Sequence, residues 1–277
     1  GEEYGGSPTL VDCTFTNNSA SPASGGGVSA WPGVDITLTN CTFTANTVAD
    51  DGGGMYVKDS TATLTGCTFN SNTSTRFGGA MALPNGTANL SDCNFTGNQA
   101  SYGGAVGQNS HDGGCNSTFT DCQFINNMTI GVGNPDGGGD GGAVYAAYSV
   151  STTFDNCVFS GNSSQWRGGG VSVHVGADAS MLNCEVRDNS ADSSPGDYTG
   201  GGGIIVAYGG TLNLSDTIVC GNTPDQVGGQ DGYNDNGGNF VEDICECAGD
   251  IIDDGVVDLI DFTAFLVNFG ATGENIA

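Results

Sequence analysis

Basic residues are nearly absent from this chain. Four Lys and Arg stand against 31 Asp and Glu, for a formal net charge of −27. Contact with nucleic acid or an anionic membrane surface needs a basic patch to neutralise phosphate, so both are poor partners for this chain, and no nucleic acid is expected. An acidic exterior suits divalent cations, high salt or cationic surfaces, and it keeps an extracellular protein soluble. Also missing is any run of about 20 apolar residues, the length of a membrane-spanning helix, so no membrane insertion is expected. No signal-peptide pattern occurs, and a chain opening at Gly1 reads as the mature product of secretion. Before residue 255 no window repeats its apolar residues at the 3.6-residue helical period.

What is present is one phrase, eight times. It reads Leu10-Val-Asp-Cys13-Thr-Phe15-Thr-Asn-Asn18, then Leu38…Cys41…Phe43…Asn46, Leu64…Cys67…Phe69…Asn72 and Leu90…Cys93…Phe95…Asn98. Phe119…Cys122…Phe124…Asn127 and Phe154…Cys157…Phe159…Asn162 follow, before two degenerate copies, Met181…Cys184…Val186…Asn189 and Leu214…Thr217…Val219…Asn222. The Cys-position residues lie 28, 26, 26, 29, 35, 27 and 33 apart, a period that means a solenoid. Cys and Phe, two residues apart, share one side of a strand. Asn is read as the turn residue that follows, tolerant of left-handed backbone. Each copy leads into a glycine pair and an alternating stretch, as at Gly52-Gly-Gly54-Met55, Gly103-Gly-Ala105-Val106 and Gly168-Gly-Gly170-Val171.

Three short strands per turn predict a parallel β-helix, all-β and right-handed, of about 8 to 9 coils. Equivalent residues of successive coils, roughly 4.8 Å apart, then form ladders. The predicted ladders are Cys13, Cys41, Cys67, Cys93, Cys122, Cys157 and Cys184 on one line, and Asn18, Asn46, Asn72, Asn98, Asn127, Asn162, Asn189 and Asn222 on another. The 49 glycines fall at fixed phases of the repeat, which argues for order and not for a low-complexity coil.

The alternating Phe-x-x-Asn and Gly-Gly-Ala/Val signatures, such as Phe69–Asn72 with Gly78-Gly-Ala80, resemble the repeats of chlamydial polymorphic outer-membrane proteins and related bacterial β-helix surface proteins. The likeness covers residues 8 to about 225. It implies an extracellular, adhesin-like solenoid. The sequence differs from autotransporters in showing no C-terminal membrane barrel.

Ladder cysteines behave as small buried hydrophobes. Their Cα spacing admits disulfides, but parallel side chains seldom meet the required dihedral, so mostly thiols are expected. Outside the ladder phase, Cys220 with Cys245 or Cys247 is the candidate disulfide, pinning the tail to the last coil. Cys245-Glu-Cys247 lacks the two-residue spacer of a zinc or redox pair.

At Gly249 the sequence changes character, dividing a β-helix (residues 1–248) from a tail (residues 249–277). The tail reads as an EF-hand-like calcium loop, with Asp250, Asp254, the Val256 carbonyl, Asp258 and Asp261 as ligands and Gly255 at the sharp turn. It also resembles a single dockerin-type repeat, in which Asp holds the last position. Ile252 stands where an oxygen ligand belongs, which weakens the expected Ca2+ site. Phe262, Phe265, Leu266 and Phe269 mark one face of a helix ending at Gly270. That helix either caps the open end of the solenoid or docks into a partner.

Catalysis finds little support in the residue types. Elimination from uronates needs a Lys or Arg base, yet the basic residues are Lys58, Arg76, Arg167 and Arg187, with His111 and His174. Arg76 and Arg167 are expected to be solvated or stacked on Phe77 and Trp166. No Gly-His-Gly or Arg-x-Lys string marks a hydrolase, and no Ser or Cys phrase beside either His suggests a triad. Asp50-Asp51 could serve as paired carboxylates, but Asp is too common here for that pair to carry weight. Phe77, Tyr102 and Trp166, just before their glycine pairs, either fill the loop side of the coil or line a carbohydrate-binding strip. The sequence thus points to a secreted structural or adhesive solenoid of a bacterial cell surface. Its expected partners are further copies stacked head-to-tail into a calcium-assisted filament, other surface proteins, or glycans. The rival is a polysaccharide lyase or hydrolase.

Overall fold

The computed structural model describes residues 6–21, 23–110, 115–131, 138–192 and 200–245. Every strand pairing in this part is parallel and joins residues one coil apart. Four sheets, here A to D in chain order, run along the axis with nine, nine, seven and eight strands. In one coil they are Thr61–Thr65 (A), Thr68–Asn70 (B), Thr73–Ser74 (C) and Met81–Pro84 (D). A parallel β-helix results.

The sequence predicts three strands per coil, and the structure has four. The addition is the two-residue strand of sheet C, immediately after the ladder Asn. Two residues are too few to show an alternation, so nothing in the apolar pattern marks it.

The ladder Asn also differs from the expected turn residue. Left-handed backbone falls one position earlier, at Asn17, Ala45, Ser71, Gly97, Asn126, Gly161, Asp188 and Gly221. The Asn itself turns inward and is buried in every coil from Asn46 to Asn222. Its Oδ1 accepts both the backbone N–H and the Nδ2–H of the preceding coil's Asn, at 3.0 and 2.9 Å for Asn72 receiving Asn46. Its own Nδ2 reaches back to a Phe carbonyl, 3.0 Å from Asn72 to Phe43. Each amide thereby satisfies the donors and acceptors that the corner between sheets B and C would otherwise bury unpaired. A second left-handed column precedes the Cys position, at Asp12, Asn40, Gly66, Asp92, Asp121, Asn156, Asn183 and Asp216. Asn, Asp and Gly are the residues that adopt this conformation most readily.

Inside, the ladders are buried and packed on one another. Phe43 and Phe69 stack with centroids 4.6 Å apart and planes 4° from parallel, and Phe124 lies 4.7 Å from Phe159. Cys41, Cys67, Cys93, Cys122, Cys157 and Cys184 are buried free thiols beside them, while Cys13 is partly exposed. Their thiols donate to nearby carbonyls, as from Cys157 to Phe119 and Asp155 at 3.3 and 3.4 Å. Thr217 takes the Cys position in the last full copy and keeps the pattern, donating to Ser215 at 2.9 Å. The second glycine of each pair packs where coils touch: a Cβ on Gly79 would run into the carbonyl oxygen of Gly104. Among the described residues no helix is long and apolar enough to cross a membrane.

Candidate functional site

The outer surface is not uniform. Over sheets A and B the outward positions of the first five coils are mostly Thr, Asn, Ser and Gln, with Val11 and Ile125 as apolar exceptions, and there is no charged residue in Ile36–Thr39, Thr61–Thr65, Thr87–Ser91 or Asn116–Thr120. Sheet D and the loops leading into it are different. Both Trp of the chain, and five of the six described Tyr, lie on this flank: Trp31 and Trp166, with Tyr56, Tyr102, Tyr145, Tyr148 and Tyr208. Three of the four cationic residues, Lys58, Arg76 and Arg167, lie there too. Phe is mostly a core residue here, whereas the amphipathic rings sit on one side of the rod.

Placement follows from the repeat. The residue before each glycine pair leans over the outward face of sheet D, giving the column Asp51, Phe77, Tyr102, Asp140 and Arg167, in which Phe77 bridges Tyr102 and Asp140 bridges Arg167. Beneath lie the strand residues Tyr56, Tyr145 and Ser172, all buried. Phe77 contacts Tyr102 at 5.1 Å, Tyr102 contacts Tyr145 at 5.1 Å, Tyr145 contacts His174 at 5.8 Å, and His174 contacts Tyr208 at 5.6 Å. Trp31 and Tyr56 form a separate pair at 5.5 Å. Trp31 and Tyr208 are 52% and 48% exposed and Phe77, Tyr102, Tyr148 and Trp166 are half-buried, so every coil of the flank but that of Tyr56 has a ring open to solvent.

Two ion pairs punctuate it. Arg76 reaches Asp50 at 3.0 Å and Asp51 at 3.8 Å with its guanidinium over Phe77. Burial pushes the Asp51 carboxyl up to about 6, with Arg76 opposing the rise. Arg167 grips Asp140 with two hydrogen bonds of 3.2 and 3.1 Å, donates to the Tyr208 hydroxyl at 3.3 Å and stacks on Trp166 at 3.9 Å. Burial raises Asp140 to about 6 as well, against the pull of Arg167. His174 Nδ1 lies 3.7 Å from Asp140 Oδ2. That carboxylate is already neutralised by Arg167, so burial dominates and lowers His174 to about 3, leaving it neutral. Its Nε2 and the Ser172 hydroxyl are buried without a hydrogen-bond partner among the described residues.

Arg76 and Arg167 stack as the sequence predicts, but Arg167 is buried in a forked ion pair, not solvated. His174 points outward from its strand as expected, yet it is covered and only 3% exposed. Asp140, Arg167 and His174 are each 3% exposed, so a bound molecule meets their aromatic rim and not their polar atoms. Arg187 pairs with Glu185 and Asp188 on the far side. Cys220 and Cys245 are joined in a disulfide at a Cα separation of 4.9 Å. Cys247 and His111 lie outside the described residues, as do the loop positions Asp250, Asp254, Val256, Asp258 and Asp261 and the tail face of Phe262, Phe265, Leu266 and Phe269. Among the described residues no three His, Cys, Asp or Glu side chains converge as a metal site. The sequence reading missed the roles of Trp31, Tyr56, Tyr145 and Tyr208. Their phase within the sheet D strands (Tyr56, Tyr145) or directly after them (Trp31, Tyr208) was the available signal.

The fold defines a β-solenoid of the parallel β-helix class. Residues 3–139 match the family model described as a right handed beta helix region, in keeping with the four parallel sheets, and the solenoid is right-handed. No curated protein and no solved structure matches the chain.

Proposed function

We propose that this protein is a secreted, non-catalytic structural or adhesive rod of a bacterial cell surface. The observation that carries the reading is the state of its ionisable side chains. Arg167 and Asp140 neutralise one another in burial, Arg76 is held by Asp50 and Asp51, and His174 is covered and neutral. A lyase needs a basic group free to take a proton, and a hydrolase needs two accessible carboxylates across one bond. Among the described residues Lys58, near the Trp31 ring, is the one cation of the flank outside an ion pair, with no second cation beside it to neutralise a uronate, and the flank presents rings on a rigid frame.

Incubating the protein with neutral and acidic polysaccharides tests this. No new reducing ends and no unsaturated uronates are expected, and turnover of any substrate refutes the reading. Calcium-assisted head-to-tail assembly through the 249–277 tail belongs to the same proposal. Its check is sedimentation at high concentration with calcium and with a chelator; a protein that stays monomeric in calcium removes the filament.

A further inference from the structure

We propose that the ring-lined flank over sheet D is a binding strip for an extended, neutral polysaccharide lying parallel to the rod axis. This deepens the adhesive reading above and rests on it. Six of seven successive coils contribute a ring open to solvent, namely Trp31, Phe77, Tyr102, Tyr148, Trp166 and Tyr208, while Tyr56 is buried against Trp31 in the remaining coil and Tyr145 is buried against Tyr102. From the Trp31 coil to the Tyr208 coil there are six steps, so the strip runs roughly 29 Å at the spacing of paired strands. A compact protein epitope calls for a central cluster of anchors in a pocket with a polar rim. A single file of rings instead suits a ligand that is itself long and repetitive.

The chemistry of the strip selects the class. A pyranose ring has a face of C–H groups, and laying it on Tyr, Trp or Phe removes apolar area from water while leaving the hydroxyls at the edges. Tyr and Trp keep a polar tip next to the stacking face, and the Asp50–Arg76 pair beside Phe77 offers both acceptor and donor to sugar hydroxyls. Charge excludes the acidic polymers. Asp50, Asp51, Asp59, Asp140 and Asp231, the last bonded to the Gly209 N–H beside Tyr208, against Lys58, Arg76 and Arg167 leave the flank at −5 + 3 = −2, on a chain of net charge −27. A polyuronate would approach a surface of its own sign and find two of the three cations already paired. The face over sheet A bears Thr such as Thr63 and Thr118 with no rings, and serves as the internal control.

Affinity electrophoresis in native gels cast with a soluble β-glucan, a xylan, a galactomannan, polygalacturonate or alginate decides the matter, because so acidic a protein migrates readily without added charge. At least one neutral polymer is expected to retard the protein. Trp31→Ala and Tyr208→Ala, at half-exposed positions, should each weaken that retardation roughly 2- to 12-fold, the range for loss of one ring contact. Thr63→Ala with Thr118→Ala should leave it unchanged, and far-UV circular dichroism checks that all variants are folded. No retardation by any neutral polymer overturns the proposal, as does retardation by the uronates alone or equal retardation of the ring variants and the parent. Retardation lost in the Thr variants would place the contact on sheet A and also overturn it. If the bound polymer is cleaved while the ring variants still bind more weakly, the strip stands and the non-catalytic reading falls.

Discussion

Replacing Asn98 by Ala should be among the most damaging single changes available in this protein. Its carboxamide is fully buried and makes four hydrogen bonds. Oδ1 accepts the Asn72 backbone N–H at 2.9 Å and the Asn72 Nδ2–H at 3.0 Å, while Nδ2 donates to the Phe69 carbonyl at 3.0 Å and to Asn127 Oδ1 at 2.9 Å. Each is worth about 1 kcal/mol net, and each buried group left unpaired costs about 1–3 kcal/mol. The Asn72 N–H and the Phe69 carbonyl lose this partner outright, about 2–6 kcal/mol together, and the Asn72 and Asn127 amides each keep a second bond and lose about 1 kcal/mol, for a loss of about 4–8 kcal/mol, comparable with the total stability of an ordinary domain. Urea denaturation followed by circular dichroism gives the loss, and hydrogen exchange at the Asn72 amide reports it locally, because that N–H loses its acceptor. The same substitution at Asn18 removes one side-chain hydrogen bond, Nδ2 to Asn46 Oδ1 at 2.8 Å, at an exposed position, so about 1 kcal/mol is expected there. Asn98→Asp sets a carboxylate oxygen against the Phe69 and Asn127 oxygens, and its destabilisation should ease as acid protonates it. A loss below about 1 kcal/mol for Asn98→Ala, or no difference between Asn98 and Asn18, would refute the view that these amides hold the coils together.

Further outcomes follow from other parts of the rod. The Cys220–Cys245 disulfide spans 25 residues, so Cys220→Ser should cost about 3.5 kcal/mol by the loop-entropy relation and show first as exchange of amides in the last coil; unchanged protection there counts against a stapling role. Asp140→Asn strands the buried Arg167 charge and should cost about 3–5 kcal/mol in a thermal or urea melt, with Asp140→Leu combined with Arg167→Met recovering part of it. His174 has a folded pKa of about 3, below its ordinary 6.5. Its contribution to stability is therefore complete above pH 6.5 and lost as pH falls toward 3, by about 1.4 kcal/mol per unit; NMR should show no titration of its ring between pH 4 and 8, and His174→Gln should remove this part of the acid slope. Iodoacetamide followed by mass spectrometry should label Cys13 first and spare Cys41 to Cys184 until the coil is unfolded; early labelling of Cys93 or Cys122 would contradict a buried ladder.

Much of the fold is legible in the sequence because a solenoid repeats its constraints. Cys67 and Phe69 recur at one phase, so two-residue alternation and a fixed period are enough to place them inside. The strand Thr73–Ser74 escapes notice because it is held by its neighbours in the stack and not by its own pattern. The ladder Asn has an ambiguous chemistry: the same side chain serves a left-handed turn or a buried amide bridge, and only the coil above and below decides. The flank is harder still. Trp31, Tyr102 and Tyr208 hold different positions within their own repeats and converge only after sheet D and the preceding loop fold over one another. Arg167 was readable as a partner of Trp166 beside it in the chain, but Asp140 lies 27 residues away across a coil boundary.

The amide ladder also gives the rod an electrical sense. From Asn18 through Asn222 one Nδ2–H of each amide donates toward the next coil while its Oδ1, from Asn46 on, accepts from the coil before, and Gln226 receives the last of these bonds at 2.8 Å. Dipoles in such a row add and polarise one another, whereas those of sheet backbones largely cancel. The positive end of the row lies where Gln226 Nε2 meets the carboxylate of Asp243 at 3.4 Å, as an acidic side chain meets the N-terminus of a helix. A particle of this form is a vector as well as a rod, so two of them aligned side by side are inequivalent when parallel and antiparallel.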